Sequence, residues 1–130
     1  MAEAASSTVL IVEDNELNMR LFNDLLEASG YTTLKCSDGA KATGLAIDNQ
    51  PDLIVMDIQL PEVSGLDITR WLKDDERTKH IPVLAVTAFA LRTDEVLVRE
   101  AGCEAYLSKP IQIRSFLSTV DDLVGGREAA

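Results

Sequence analysis

The sequence predicts an α/β protein with a doubly wound, five-stranded parallel sheet and five helices in a single domain. Two observations lead to this prediction. Five short runs rich in Val, Ile and Leu recur along the chain, and a segment with helical spacing follows each run. Parallel strands need crossover connections, and right-handed crossovers cover both faces of the sheet with helices. The common flavodoxin-like solution for five such strands has the order 2-1-3-4-5.

The predicted strands are short runs in which aliphatic residues dominate, as expected for strands buried on both faces. They are Thr8–Val12, Thr32–Cys36, Leu53–Met56, Pro82–Val86 and Ala105–Ser108. Because parallel strands point the same way, their carboxyl ends meet at one edge of the sheet. We expect the functional crevice at that edge, near the switch point between strands 1 and 3.

The first two predicted helices follow strands 1 and 2. Gly30 stands where the first helix ends. The apolar stripe before it consists of Leu17, Leu21, Phe22, Leu25 and Leu26. The second helix, residues 39–49, has a weaker pattern because Gly44 lies in its middle and lowers the helix propensity. Both segments are predicted to be helical, and only the first has a clear apolar face.

Three further helices complete the prediction. Ser64 opens the third helix, with Asp67 three residues later in an imperfect capping box. The fourth is predicted at about residues 92–101. The fifth is the clearest amphipathic segment, and its apolar face consists of Ile113, Phe116, Leu117, Val120, Leu123 and Val124. We expect the domain to span residues 8–124, with short tails at residues 1–7 and 125–130.

The chain is strongly acidic. It has 12 Lys and Arg residues against 22 Asp and Glu residues, which gives a formal net charge of −10. Most of such a surface repels nucleic acid and anionic membranes, so neither is expected as the direct partner. Cations and basic faces of other proteins are better matched to this charge.

The expected location is the cytoplasm. Residues 1–7 contain Glu3 and lack the basic start and apolar stretch of a secretory signal. The uncharged apolar runs fall far short of the roughly 20 residues that a membrane span needs, so no membrane insertion is expected. Cys36 and Cys103 stand apart without metal-like spacing, and we expect both to be reduced and buried.

Charged and polar residues gather where four of the predicted strands end. Strand 1 runs into Glu13 and Asp14, and strand 3 ends in Asp57. Three carboxylates placed together repel one another unless a positive group offsets their charge. Hard oxygen ligands of this kind suit Mg²⁺, and Lys109 after strand 5 offers a second positive charge. The alternative for Asp14 is that it, or Asn15 beside it, merely caps the following helix.

The same cluster is suited to phosphoryl transfer. A carboxylate such as Asp57, beside Mg²⁺ and a lysine, can attack a phosphoryl group in line and hold the product. Thr87 at the end of strand 4 would donate its hydroxyl to a phosphoryl oxygen, and the small Ala88 leaves room beside it. A β-branched residue is also ordinary in any strand, so Thr87 has a purely structural alternative.

These residues together resemble the receiver domain of bacterial two-component response regulators. The resemblance covers residues 8–124 and includes the stretches 9–15 and 51–57, and Leu60-Pro61 followed by Gly65. The residues that carry it are Glu13, Asp14, Asp57, Thr87, Lys109 and Pro110. Residues 13–19 and 80–90 resemble single-domain cell-cycle regulators within that family, which implies a role in cell-cycle and cell-division control.

The resemblance implies a function for each residue of the acidic cluster. Asp57 would accept a phosphoryl group from a phosphohistidine on a sensor histidine kinase, as a phosphorylated acceptor and not as a turnover enzyme. Asp14, Asp57 and the backbone carbonyl of Gln59 would bind Mg²⁺. Glu13 would contribute directly or through a water molecule.

It also implies a conformational switch. Lys109 would pair with Asp57 and then with the phosphoryl group, and Pro110 would follow a cis peptide bond. Phosphorylation would draw Thr87 inward, and Tyr106 would turn into the vacated space. This is a two-state equilibrium biased by a local change of charge.

With no further module in the chain, output is expected to run through protein contacts. The implied partners are sensor histidine kinases and kinase-like regulators, with a phosphatase as a further candidate, and the expected state is a monomer or weak dimer. Asn18, Met19 and Phe22 on the first helix are candidates for the kinase-docking surface. Phe22 has an alternative place in the core.

Three other functions share parts of this pattern. A phosphorylation-independent pseudo-receiver would be a pure interaction module, and the intact acceptor, acid pair and lysine argue against it. Aspartyl-nucleophile phosphatases carry a D-x-D pattern, with a second acidic residue two positions after the nucleophile. Here Gln59 stands two residues after Asp57. A flavin-binding electron carrier needs a phosphate loop after strand 1, where this chain has acidic residues that repel a phosphate.

Overall fold

The computed structural model describes residues 7–60, 63–87 and 92–129. Its strands are β1 (Thr8–Val12), β2 (Thr32–Cys36), β3 (Leu53–Asp57), β4 (Val83–Thr87) and β5 (Ala105–Ser108). They form one parallel sheet in the order β2-β1-β3-β4-β5, which confirms the predicted topology. The central strands β1, β3 and β4 are buried almost throughout, as their aliphatic sequences require.

The helices cover both faces of this sheet. They are α1 (Glu16–Ala28), α2 (Ala42–Asn49), α3 (Gly65–Asp74), α4 (Arg92–Ala101) and α5 (Ile113–Ala129). Two of them begin at side chains that satisfy free backbone amides. The side chain of Asn15 accepts a hydrogen bond from the amide of Asn18, and Oγ of Ser64 accepts one from the amide of Leu66.

Two helix boundaries differ from the prediction. Residues 39–41 form a 3-10 turn that Asp38 caps, and α2 begins only at Ala42. The sequence analysis expects a short tail from residue 125, and in the structure α5 extends through this segment to Ala129. A Cβ added at Gly125 would meet nothing within 4 Å, so packing does not require glycine there. The glycine lowers the helix propensity by about 1 kcal/mol relative to alanine, and the helix continues through it. Predictions that concern residues 1–6, Pro61 and Ala88 lie outside the described residues.

The core forms two layers, one on each face of the sheet. One layer packs α2, α3 and α4 against residues such as Ile54 and Met56. The other packs α1 and α5 against the opposite face, where the rings of Phe22 and Phe116 stack with centroids 5.2 Å apart. Phe22 therefore has the structural role that the sequence left open as an alternative. In the described ranges, none of the helices combines the length and apolar character of a membrane span.

Candidate functional site

Asp57 occupies the carboxyl end of the buried strand β3. Its side chain is almost fully buried, and Oδ1 accepts a hydrogen bond of 2.9 Å from the amide of Gln59. The amide of Ile58, the residue after Asp57, donates a hydrogen bond to the carbonyl of Val86 on β4. Main-chain hydrogen bonds therefore fix the backbone around Asp57, whose carboxylate lies at the carboxyl end of the sheet.

Two further carboxylates converge on Asp57. Glu13, Asp14 and Asp57 each place a carboxylate oxygen within 4.8 Å of the others. Glu13 is only 1 % exposed, and its Oε2 accepts a hydrogen bond from the amide of Asn15. Asp14 is the exposed member of the three. The helix cap belongs to Asn15, which leaves Asp14 to the cluster.

Lys109, the residue after β5, supplies a positive charge to this cluster. Its Nζ lies 3.3 Å from Oε1 of Glu13 and 3.5 Å from Oδ2 of Asp57. The lysine amide donates a 2.7 Å hydrogen bond to the carbonyl of Thr87, and the Lys109–Pro110 peptide is cis, as the resemblance implies. Main-chain contacts to β4 thus direct the ammonium group toward the two buried carboxylates.

The electrostatics of the site favour a bound proton or cation. The pKa of Glu13 is raised to about 7, first by burial and then by the neighbouring Asp57 carboxylate, while the amide of Asn15 and the ammonium of Lys109 act in the opposite direction. Three clustered carboxylates with hard oxygen atoms are the donor set that Mg²⁺ prefers. The residues present therefore fit a divalent cation.

Thr87 and Tyr106 lie on the same face of the sheet. Tyr106 pairs in register with Ala85, and Thr87, two residues further along β4, points the same way. Thr87 is buried, and Tyr106 is half-buried against the core layer that contains α3 and α4. This arrangement brings the predicted switch pair to one side of the site.

Gly65, the first residue of α3, packs directly against the end of β3. The amide of Gly65 donates a 3.0 Å hydrogen bond to the carbonyl of Ile58. A Cβ at residue 65 would stand 2.3 Å from the carbonyl oxygen of Asp57 and 2.8 Å from Cα of Ile58. Only glycine permits this approach. The Ser-Gly pair at residues 64–65 is the sequence signal for it.

Helix α1 and β2 border an open cavity of about 480 Å³ beside the acidic cluster. Asp14, Leu17 and Lys35 contribute to its lining, and Leu17 is among the most exposed apolar side chains. Asn18 and Met19, the other candidates for partner docking, are half-buried. The cavity therefore reaches the acidic cluster at Glu13 and Asp14.

Glu13, Asp14, Asp57 and Lys109 thus meet at the carboxyl ends of the strands. The family model described as the response regulator receiver domain matches residues 9–121. The chain belongs to the receiver domain family. Receiver domains are signalling proteins that interact with sensor histidine kinases and bind Mg²⁺ at an acidic pocket.

Curated relatives of this receiver domain extend the comparison. It is 59 % identical over 120 residues to the polar-differentiation response regulator DivK of Brucella ovis, covering 92 % of this chain and 98 % of the relative. It is also 59 % identical over 118 residues to DivK of Brucella anthropi, with coverage of 91 % and 96 %. The receiver domain therefore matches these regulators over nearly their whole length.

Solved structures agree with the fold. The receiver domain of the sensor histidine kinase PA1611 from Pseudomonas aeruginosa has a TM-score of 0.86 and 31 % identity, covering 92 % of this chain and 98 % of that one. That structure has a magnesium ion coordinated in its active site cleft. The chemotaxis protein CheY4 of Vibrio cholerae, at 22 % identity and a TM-score of 0.85 over 91 % and 98 % of the chains, shares the fold.

Proposed function

We propose that this receiver domain is a stand-alone response regulator that accepts a phosphoryl group on Asp57. The observation that carries the proposal is the cluster itself. Three carboxylates lie within 4.8 Å of one another, and the ammonium of Lys109 lies 3.5 Å from the acceptor oxygen Oδ2. The match to DivK regulators over nearly their full length supports a protein that acts without a second module.

The residues that would hold Mg²⁺ are Asp14, Asp57, the backbone carbonyl of Gln59 and, directly or through a water molecule, Glu13. When bound, the ion offsets negative charge on the phosphoryl oxygens. The burial of Glu13 and Asp57 keeps competing water away from two of these ligands. Asp14 stays open to solvent, where the ion would enter.

The transfer step would use Asp57 as the nucleophile. One carboxylate oxygen attacks phosphorus in line, and the bond from phosphorus to the histidine nitrogen of the donor breaks with its electron pair on that nitrogen. The product is an acyl phosphate on Asp57. The ammonium of Lys109 contacts the phosphoryl oxygens, and the hydroxyl of Thr87 donates to one of them.

Thr87 and Tyr106 would convert this chemistry into a change of surface. Once the phosphoryl oxygens are present, Thr87 moves toward them, and Tyr106 turns into the space that it leaves. The common face of the two side chains supports this coupling. The affected surface is that of β4, α4, β5 and α5, and it would be read by other proteins.

The proposed biological setting is polar differentiation, cell-cycle and cell-division control in the cytoplasm. It follows from the likeness to DivK and from the acidic charge, which favours protein partners over nucleic acid. The proposed partners are sensor histidine kinases, kinase-like regulators and a phosphatase. The proposed state is a monomer or weak dimer.

The test is the intact mass of the protein after incubation with acetyl phosphate, with Mg²⁺ or with EDTA. We expect one phosphoryl adduct that requires Mg²⁺ and is lost in Asp57→Asn. The exposed Asp48 on α2 provides the control Asp48→Asn, which removes the same charge away from the site and should keep the adduct. An adduct that survives in Asp57→Asn would reject Asp57 as the acceptor.

Two other outcomes would favour the alternatives. A folded protein that binds Mg²⁺ but takes up no phosphoryl group from acetyl phosphate or from a histidine kinase would be a pseudo-receiver. Turnover of acetyl phosphate without an adduct would indicate a phosphatase. The switch is tested with Thr87→Ala, which should still be phosphorylated but lose the amide exchange changes at Tyr106. Thr87→Ser should retain them.

A further inference from the structure

The peptide group between Ile58 and Gln59 is held on both sides. Its N–H donates to Oδ1 of Asp57 at 2.9 Å, and its carbonyl accepts from the amide of Gly65 at 3.0 Å. The orientation of the Asp57 carboxylate therefore depends on this peptide. The peptide in turn depends on Gly65, the first residue of α3.

Thr69 fixes the other side of Gly65. It is 0 % exposed, and its hydroxyl donates a 2.8 Å hydrogen bond to the Gly65 carbonyl. The hydroxyl oxygen of Thr69 also accepts a hydrogen bond from the thiol of Cys103, whose Sγ lies 3.8 Å away in the segment that leads into β5. A hydroxyl has one hydrogen to donate and lone pairs to accept, and Thr69 uses both capacities. Such a buried polar residue is costly unless it is paired in this way.

The first turn of α3 is packed closely against the main chain of Asp57. A Cβ at Gly65 would approach the carbonyl oxygen of Asp57 to 2.3 Å, so the first turn of α3 rests directly on the main chain of the acceptor. Interiors packed this closely transmit small displacements. A shift of the Gly65 peptide would therefore move both Asp57 and the Gln59 amide that holds its carboxylate.

We propose that Thr69, supported by Cys103, is a positioning residue for the Asp57 site. The Thr69 hydroxyl holds the first turn of α3 in the place where the Ile58–Gln59 peptide orients the acceptor carboxylate. This inference rests on the proposed function of Asp57 and adds a residue to it that touches neither the ion nor the phosphoryl group.

Thr78 offers a matched control for the same chemistry. It is 1 % exposed, and its hydroxyl donates a 2.7 Å hydrogen bond to the carbonyl of Leu72. Both threonines thus pair a buried hydroxyl with a main-chain carbonyl of α3. Thr69 does so at the end of the helix that contacts Asp57, and Thr78 at the opposite end. A purely structural role predicts the same behaviour for both.

The test compares Thr69→Val, Thr69→Ser and Thr78→Val with the wild type. Calorimetric titration with Mg²⁺ gives the affinity of the site, and the rate of adduct formation with acetyl phosphate gives its reactivity. We expect Thr69→Val to weaken Mg²⁺ binding by about tenfold, the scale of residues that orient metal ligands, and to slow phosphorylation similarly. Thr69→Ser keeps the hydroxyl and should restore both. Thr78→Val should lose stability in urea without either change.

Equal Mg²⁺ affinities and phosphorylation rates in Thr69→Val and Thr78→Val would overturn the inference, as would a Thr69→Ser protein as impaired as Thr69→Val. If Thr69→Val does not fold, Thr69→Ala and Thr78→Ala make the same comparison, because alanine introduces no new contact. A wild type that neither binds Mg²⁺ nor forms an adduct would instead reject the proposed function, and the two failures are thereby distinguished.

Discussion

Gly65 lies so close to Asp57 that a Cβ at residue 65 would stand 2.3 Å from the carbonyl oxygen of Asp57. That oxygen belongs to the main chain, which cannot rotate away as a flexible side chain can. The start of α3 and the end of β3 therefore behave as one packed unit. The identity of residue 65, outside the acidic cluster, thus limits the geometry of Asp57.

The first prediction concerns this contact. Gly65→Ala should lower the free energy of unfolding by about 1–3 kcal/mol, because overpacking forces the backbone to shift. Gly44→Ala is the matched control, since a Cβ added at residue 44 within α2 would meet no atom of another segment within 4 Å. There alanine should stabilise the fold by about 0.4–1 kcal/mol. Urea unfolding followed by circular dichroism measures both, and equal shifts of the same sign would contradict the prediction.

The second prediction concerns the ammonium between the two buried carboxylates. Lys109→Met should slow adduct formation on Asp57 by about tenfold or more, because the loss of a preorganised charge near the reacting oxygens raises the barrier. Lys79→Met removes the same charge from an exposed pair with Glu76 and should leave the rate unchanged. Intact mass against time with acetyl phosphate gives both rates. Similar slowing in the two variants would indicate only a net-charge effect.

The third prediction concerns a lysine that joins α3 to the segments before β4 and β5, at the end of the sheet away from Asp57. Lys73 is 16 % exposed, and its Nζ contacts the carbonyl of Ile81 at 2.7 Å and Oε2 of Glu104 at 2.8 Å. The other oxygen of Glu104 accepts from the amide of Val83. Lys73→Met should lower the free energy of unfolding by about 1–3 kcal/mol, because these acceptors lose their donor.

Arg70 on the same helix is the control for Lys73. It forms an exposed pair with Asp67, three residues earlier. Such surface pairs contribute about 0–1 kcal/mol, so Arg70→Met should change stability much less than Lys73→Met. Equal losses in urea unfolding would show that the Lys73 contacts carry no special weight.

The fourth prediction concerns the reactivity of Cys103 with pH. Burial raises the pKa of this thiol to about 11, and burial also raises the pKa of Cys36. At pH 8 Cys103 would therefore be almost entirely in the thiol form, whereas the thiolate is the reactive form. Labelling by a disulfide reagent should therefore be slow in the native protein and fast in urea, with Cys36→Ala assigning the signal to Cys103. Equal native and denatured rates would contradict the shift.

The same pKa change has a consequence for stability. A thiol with a raised pKa in the folded state stabilises the fold fully below its unfolded value of 9.0. That contribution is lost as the pH rises from there toward about 11, because the unfolded chain releases the proton first.

Most of the architecture was predictable because strong local patterns determine it. β3 is a run of buried aliphatic residues that ends at an aspartate, and no amphipathic alternative competes with it. Parallel topology then forces the residues after β1, β3, β4 and β5 to one edge. That is why Glu13, Asp57 and Lys109 could be assigned to one site before their distances were known.

The remaining features depend on packing between distant segments. The contact of Thr69 with Cys103 joins residues 34 positions apart, and a threonine within a helix carries no local signal for it. The continuation of α5 past Val124 was missed because a glycine pair usually favours a helix end. The cap at Asn15 and the metal-cluster position of Asp14 could not be separated, since both residue types cap helices.

The pairing of Lys109 with Glu13 joins positions 96 residues apart, from the residue after the last strand to the residue after the first. Asp57 reaches the same point from the middle of the chain. Only a chain that runs at least from Glu13 to Lys109 holds all three groups, so we expect efficient phosphoryl uptake to require that both ends of the domain are in place. During refolding from urea, the rate at which the protein becomes able to take up a phosphoryl group would therefore report how fast the segments after β1, β3 and β5 come together.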